Sequence, residues 1–78
     1  MAALSETDQA LFERLRNWRL EEAKAQNVPP YVIFHDATLR EMASSRPAAL
    51  SAMSEIGGVG ARKLEAYGEA FLTVIKQH

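Results

Sequence analysis

The segment Ile56-Gly57-Gly58-Val59-Gly60-Ala61-Arg62-Lys63 holds the most readable chemistry in this sequence. Gly58 and Gly60 permit a positive φ and let a ligand come close to the backbone. A helix beginning near Ala61 leaves its first amides without partners inside the helix. Together with the positive end of the helix dipole, these amides form a site for an anion. Arg62 and Lys63 follow at once. The dipole repels cations in a first helical turn unless an anion lies between. A local rule broken in this way is expected at a functional site. The segment fits phosphate contact. It also fits a sharp helix connection followed by two solvated cations.

Tyr31 is the second candidate. It follows Pro29-Pro30, and an aromatic ring beside such a turn can stay in solvent and stack on an unpaired base. The competing expectation is a core tyrosine whose hydroxyl reaches the surface. Leu20 falls on the polar side of its helix among Glu13, Asn17, Glu21 and Lys24. It reads as an isolated surface leucine or as a protein contact. Catalysis is hard to assemble. His35 adjoins Asp36, but sequence neighbours at a helix end do not face each other as a base and its orienting carboxylate must. Glu41, Glu55, Glu65 and Glu69 are spread along helices, and there is no P-loop, no HExxH and no metal-spaced His/Asp cluster. Two lone histidines, His35 and His78, do not make a metal site. The sequence argues for a non-catalytic chain without metal or cofactor.

Helices must position these residues. Leu11, Phe12, Leu15 and Trp18 recur at helical spacing and predict a helix over Asp8–Gln26, with Ser5 or Thr7 as N-cap and Asn27 as its stop. Residues 1–7 are expected to form a flexible lead-in. Arg19 projects toward the apolar face, so it must reach solvent or find a carboxylate. Pro30 opens a short helix over Tyr31–Phe34. Asp36 or Thr38 caps the next, to about Ala43, and Thr38-Leu39-Arg40-Glu41 has the form of a capping box. Ser44-Ser45-Arg46-Pro47 interrupts, and Ala48–Ser54 forms a further helix with Leu50 and Met53 inward. The last helix carries Leu64, Tyr67, Phe71, Leu72 and Ile75 on one stripe. Gly68 lies on that stripe too. It costs roughly 1 kcal/mol of helix propensity relative to alanine, which predicts close approach of another helix. Tyr31-Val32-Ile33-Phe34 is strand-like but has no partner run, so the fold class is all-α.

At 78 residues the chain has room for one domain. Its 47% hydrophobic content suits an ordered globule. It has no cysteine, which excludes disulfides and thiolate metal sites and favours a reducing compartment. No apolar run approaches a membrane span and the N-terminus lacks the form of a signal peptide, so the expected location is the cytoplasm and no membrane partner is expected. Nine Lys+Arg against ten Asp+Glu give a net charge of −1. Any nucleic-acid binding must therefore be weak and local, since phosphate neutralisation supplies most of such affinity. Arg14, Arg16, Arg40, Arg46, Lys24 and Lys76 either extend a basic surface or are ordinary solvated side chains.

The glycine segment resembles the hairpin of helix-hairpin-helix motifs, which grip DNA backbones without reading sequence. From Leu11 to Ile75 the chain resembles the HRDC (helicase and RNase D C-terminal) domain. The matching segments are Leu11-Phe12-Glu13-Arg14-Leu15-Arg16, then Val28-Pro29-Pro30-Tyr31-Val32-Ile33-Phe34-His35-Asp36-Ala37-Thr38-Leu39, then Ile56-Gly57-Gly58-Val59-Gly60 through Gly68. The Pro-Pro-Tyr-Val-Ile-Phe stretch looks more like bacterial RecQ helicases than ribonuclease D. The resemblance implies a compact bundle of about five helices and an auxiliary role. That role is to bind single-stranded or branched DNA and tune how a helicase core of the same polypeptide engages its substrate, with the ATPase elsewhere and the protein on the bacterial nucleoid. It also implies that Tyr31, nearby basic residues and Lys63 face DNA. The first helix departs from the lysine-rich pattern of DNA-binding members, carrying Glu13, Asn17, Leu20, Glu21 and Glu22 among its basic residues. That leaves room for docking on the helicase core or a partner protein through Leu20.

Overall fold

The computed structural model describes residues 4–78. Among them lie four α-helices and one 3-10 turn: α1 (Glu6–Gln26), the turn (Pro30–Val32), α2 (Asp36–Ser45), α3 (Leu50–Met53) and α4 (Ala61–Gln77). No strand is present among the described residues, as the unpartnered Tyr31–Phe34 run predicts. No helix among them is long and apolar enough to cross a membrane.

α1 starts at Glu6 rather than Asp8, because Ser5 is the cap. Its hydroxyl oxygen accepts the Asp8 amide at 3.1 Å, and Glu6 and Asp8 place negative charge at the positive end of the helix. Glu6 and Thr7 thus belong to the first turn, whereas for residues 1–3 the expected lead-in lies outside the described residues. Asn27 ends the helix in the left-handed region, with φ 58°. The Val28 amide bonds the Ala23 carbonyl and the Asn27 amide bonds that of Lys24, a Schellman closure. Leu11, Phe12 and Leu15 are buried as their spacing requires.

The short helix after Pro29 is tighter and shorter than expected. It is a 3-10 turn that ends at Val32, so Ile33 and Phe34 drop inward and are completely buried. Phe34 meets the edges of Phe71 (5.0 Å between centroids) and Tyr67 (6.0 Å). Trp18 meets Phe71 at 4.9 Å. This aromatic chain joins α1, the connection and α4.

Thr38 corrects the capping-box expectation. α2 begins at Asp36 with His35 at the N-cap position, and no side chain caps it. Thr38 lies inside the helix, buried, and its hydroxyl donates to the Gly57 carbonyl at 2.9 Å. A long-range partner has displaced the local one. α2 also continues past Ala43 to Ser45 and closes at Arg46, left-handed at φ 47°, whose amide bonds the Met42 carbonyl. The Arg46 guanidinium reaches back to Asp8 at 3.3 Å and the Thr7 carbonyl at 3.4 Å, which ties the end of α2 to the start of α1. α3 is a single turn, Leu50–Met53, shorter than the expected Ala48–Ser54. Gly68 is buried against it. A Cβ there would lie 2.6 Å from Leu50 Cδ2 and 3.1 Å from Leu64 Cδ1, the close approach its place on the stripe predicts.

Candidate nucleic-acid interface

The glycine turn is held from below. Val59 and Ile56 are buried, the Val59 amide bonds the Ile56 carbonyl at 3.1 Å, and Thr38 grips the Gly57 carbonyl. Gly58 sits at φ 89° and needs to be glycine twice over, because a Cβ would also strike the Thr38 hydroxyl. Gly60 does not meet the expectation of a positive φ. It is an ordinary extended N-cap at φ −83°, and a Cβ on it would meet nothing within 4 Å. What Gly60 leaves is open space and no capping side chain at the start of α4, whose first two residues, Ala61 and Arg62, are exposed.

The two cations differ. Arg62 is exposed, whereas Lys63 is half-buried. The Lys63 ammonium lies 5.7 Å from the centre of the Phe34 ring, so its stem covers an aromatic of the core and its charge rests on that ring. This contact offsets part of the dipole repulsion without an anion. A carboxylate also approaches the turn, since Glu41 Oε1 lies 3.9 Å from where a Cβ on Gly57 would sit.

Tyr31 takes the solvent-facing alternative, 59% exposed, with Val32 beside it also exposed. Its ring stacks on His35 at 6.0 Å between centroids and 25° between planes. The His35 partnership is absent from the sequence reading, although the four-residue spacing is its signal. Tyr31 and the hairpin are linked through Phe34, which follows Tyr31 in the chain and carries Lys63 on its face. Leu20 is 40% exposed. It shares a groove of about 380 Å³ with Ala23, Lys24, Val28, Pro29 and Pro30.

Arg19 does not reach solvent but finds a carboxylate, and a backbone carbonyl besides. It is 8% exposed, donates from Nη1 to the Phe34 carbonyl at 2.8 Å and pairs through Nη2 with Asp36 at 2.7 Å. The Arg19 hydrogen bond holds the Asp36 carboxyl below its ordinary value. The charges of Arg19, Arg16 and Arg40 act in the same direction, and partial burial opposes them. Arg16 and Arg40 approach the same ring, Phe12, at 5.6 and 5.2 Å from its centre. A second cationic cluster thus forms on the α1–α2 face, brought together by folding from residues that are far apart in sequence. A larger open groove, about 650 Å³ and lined in part by Arg14, Trp18, Glu21 and Val74, runs between α1 and α4 and includes none of Leu20, Tyr31, Gly58, Gly60, Arg62 and Lys63. Among the described residues no group of three or more His, Asp or Glu side chains is placed to hold a metal ion.

Known proteins share this scaffold. The HRDC domain family model matches residues 8–75. The ATP-dependent DNA helicase RecQ of Haemophilus influenzae is 46% identical over 71 residues, covering 91% of this chain and 12% of that protein. The ATP-dependent DNA helicase UvrD2 of Mycobacterium tuberculosis is 44% identical over 72 residues, covering 92% of this chain and 10% of that protein. HRDC domain 3 of D. radiodurans RecQ superposes with a TM-score of 0.87 at 36% identity, over 94% of this chain and 95% of that one. The chain therefore spans only about a tenth of these helicases, but nearly all of the solved domain. The family model spans most of the chain, and the sequence relatives and the solved domain cover it to the same extent: the chain belongs to the HRDC domain family.

Proposed function

We propose that this chain is a single, non-catalytic accessory domain of an ATP-dependent DNA helicase of the RecQ type. It binds single-stranded or branched DNA weakly and without sequence preference, and tunes how the helicase core of the same polypeptide engages its substrate. Bacterial chromosomal DNA in the cytoplasm is then where it works. The observation that carries this reading is Tyr31, a large aromatic held in solvent by a double proline and a stacked imidazole. Such a ring costs apolar exposure in the free chain and gains a stacking partner when an unpaired base arrives. Arg62, Lys63 and the uncapped amides beyond Gly58 and Gly60 supply a phosphate contact on the neighbouring hairpin. The net charge of −1 keeps the affinity low.

The test is anisotropy of a labelled oligothymidylate titrated with the chain at two salt concentrations. Saturable binding that weakens with salt is expected, and Tyr31→Ala and Lys63→Ala should each reduce it. Absence of binding to single-stranded and branched DNA at low salt would sink the reading.

A second reading rests on Leu20. Its exposure beside the Pro29–Pro30 groove offers an apolar knob on an otherwise polar helix face. In that reading the domain docks on the helicase core or a partner protein. Leu20→Glu should then alter regulation of the intact helicase while the isolated domain stays folded. An unchanged enzyme would count against docking.

A further inference from the structure

The DNA reading requires Tyr31 to be held in place before a base arrives, and the core gives Tyr31 little help. It lies mostly in solvent and its aromatic neighbour is His35. His35 is itself exposed. The His35 carbonyl is held by the first turn of α2, through the amides of Thr38 and Leu39, and a single buried side chain holds the residues on either side of it. Arg19 spends Nη1 on the carbonyl of Phe34 and Nη2 on the carboxylate of Asp36. Those are the residues immediately before and after His35. The other end of the segment is set by Pro29 and Pro30, whose φ is locked by their rings. The connection is thus pinned at both ends, with the Tyr31–His35 stack between them. Arg19 Nε is buried with no partner. The burial of this cation is not explained by packing alone, because an arginine with an orphaned donor is a poor core residue.

We propose that Arg19 is a positioning residue for the aromatic platform: through its fork onto Phe34 and Asp36 it presets His35 and Tyr31 for base stacking, without touching the nucleic acid. This rests on the single-strand-binding reading of Tyr31 and explains how that reading works. A preset ring binds without a further ordering cost, whereas a released one must be ordered at the moment of binding.

The experiment uses Asp36→Asn, with Arg19→Lys beside it. Asp36 is half-exposed at its side chain, so its replacement removes no apolar packing from the core, although it leaves the Arg19 charge without its carboxylate. The substitution removes a negative charge, and simple electrostatics therefore predicts tighter binding to DNA. The positioning role predicts the reverse: a loss on the order of ten-fold in affinity for oligothymidylate, with an unchanged slope of log affinity against log salt, because no phosphate contact has been removed. Arg19→Lys keeps the charge and loses the fork, and should behave alike. Asp36→Glu keeps a carboxylate and should restore part of the affinity. All variants are compared where each is fully folded. In the free chain, NMR reads the ring-current shift that Tyr31 imposes on the His35 imidazole protons. That shift should shrink in Asp36→Asn and Arg19→Lys.

Equal or tighter DNA binding by Asp36→Asn, or an undiminished ring-current shift in both variants, would overturn the proposal. A wild-type chain that fails to bind oligothymidylate at low salt overturns the single-strand reading instead. The ring-current comparison then decides by itself whether Arg19 positions the ring.

Discussion

At the scale of single residues, Tyr31 and Gly58 mark the difference between a surface that can be altered freely and a backbone that cannot. Tyr31→Ala removes a solvent-exposed ring. Stability should change by no more than about 0.5 kcal/mol, while DNA affinity should fall by about 1–3 kcal/mol if one base stacks there. Chemical denaturation and the anisotropy titration measure the two effects separately. Gly58→Ala should do the opposite. The φ of 89° and the Thr38 hydroxyl in the path of a Cβ both penalise any side chain, and a loss of at least about 1 kcal/mol in denaturation free energy is expected. Gly60 is the informative contrast. Its φ is ordinary and the space around it is open, so Gly60→Ala should be nearly neutral for stability. An alanine there that unfolds the domain would contradict the geometry of the turn.

Elements in this molecule are capped by near neighbours but tied to one another by contacts distant in sequence, and that decides how much of them was legible. The long helices were readable because periodicity survives any packing: Leu11, Phe12 and Leu15 are buried, and so are Phe71, Leu72 and Ile75. Asn27 ended α1 as a residue tolerant of the left-handed region would. Thr38 was misread because a capping box is judged on four consecutive residues, and its hydroxyl instead serves Gly57, 19 positions away. Thr38→Val should cost about 0.5–1.5 kcal/mol through that lost hydrogen bond. The loss should appear as faster amide exchange in the glycine turn rather than as fraying at the start of α2. If the α2 amides exchange faster and the turn does not, Thr38 is a cap after all. The site showed a similar division. Tyr31 and the glycine run declared themselves by residue type. The Arg19–Asp36 pair and the meeting of Arg16 and Arg40 on Phe12 depend on α1 and α2 lying together, which no local window contains.

For the whole molecule, acid should be felt through the α1–α2 junction. Asp36 has its carboxyl held below the ordinary value, chiefly by the Arg19 hydrogen bond. A carboxylate with a lowered folded pKa stabilises the native state above its unfolded pKa of about 3.9. The contribution is lost as pH falls through the folded value, still lower on the scale. Thermal midpoints should therefore decline more steeply on acidification in the wild type than in Asp36→Asn, and at neutral pH the variant should be the less stable. Parallel curves would show that the pair contributes nothing to the balance. The near-neutral total charge has a related effect. With nine basic and ten acidic side chains, long-range attraction to DNA is small, and contact depends on a few local groups that salt readily screens.

Trp18 is the single tryptophan of the chain, and its indole stands edge-on to Phe71, within the aromatic chain that continues through Phe34 to Tyr67. One intrinsic fluorophore therefore watches the seam between α1 and α4, while Tyr31, out in solvent, belongs to a different surface. Loss of the seam should shift indole emission to longer wavelength, and every variant discussed above can be checked for an intact interior in the same cuvette, with no label attached, before its ligand is added.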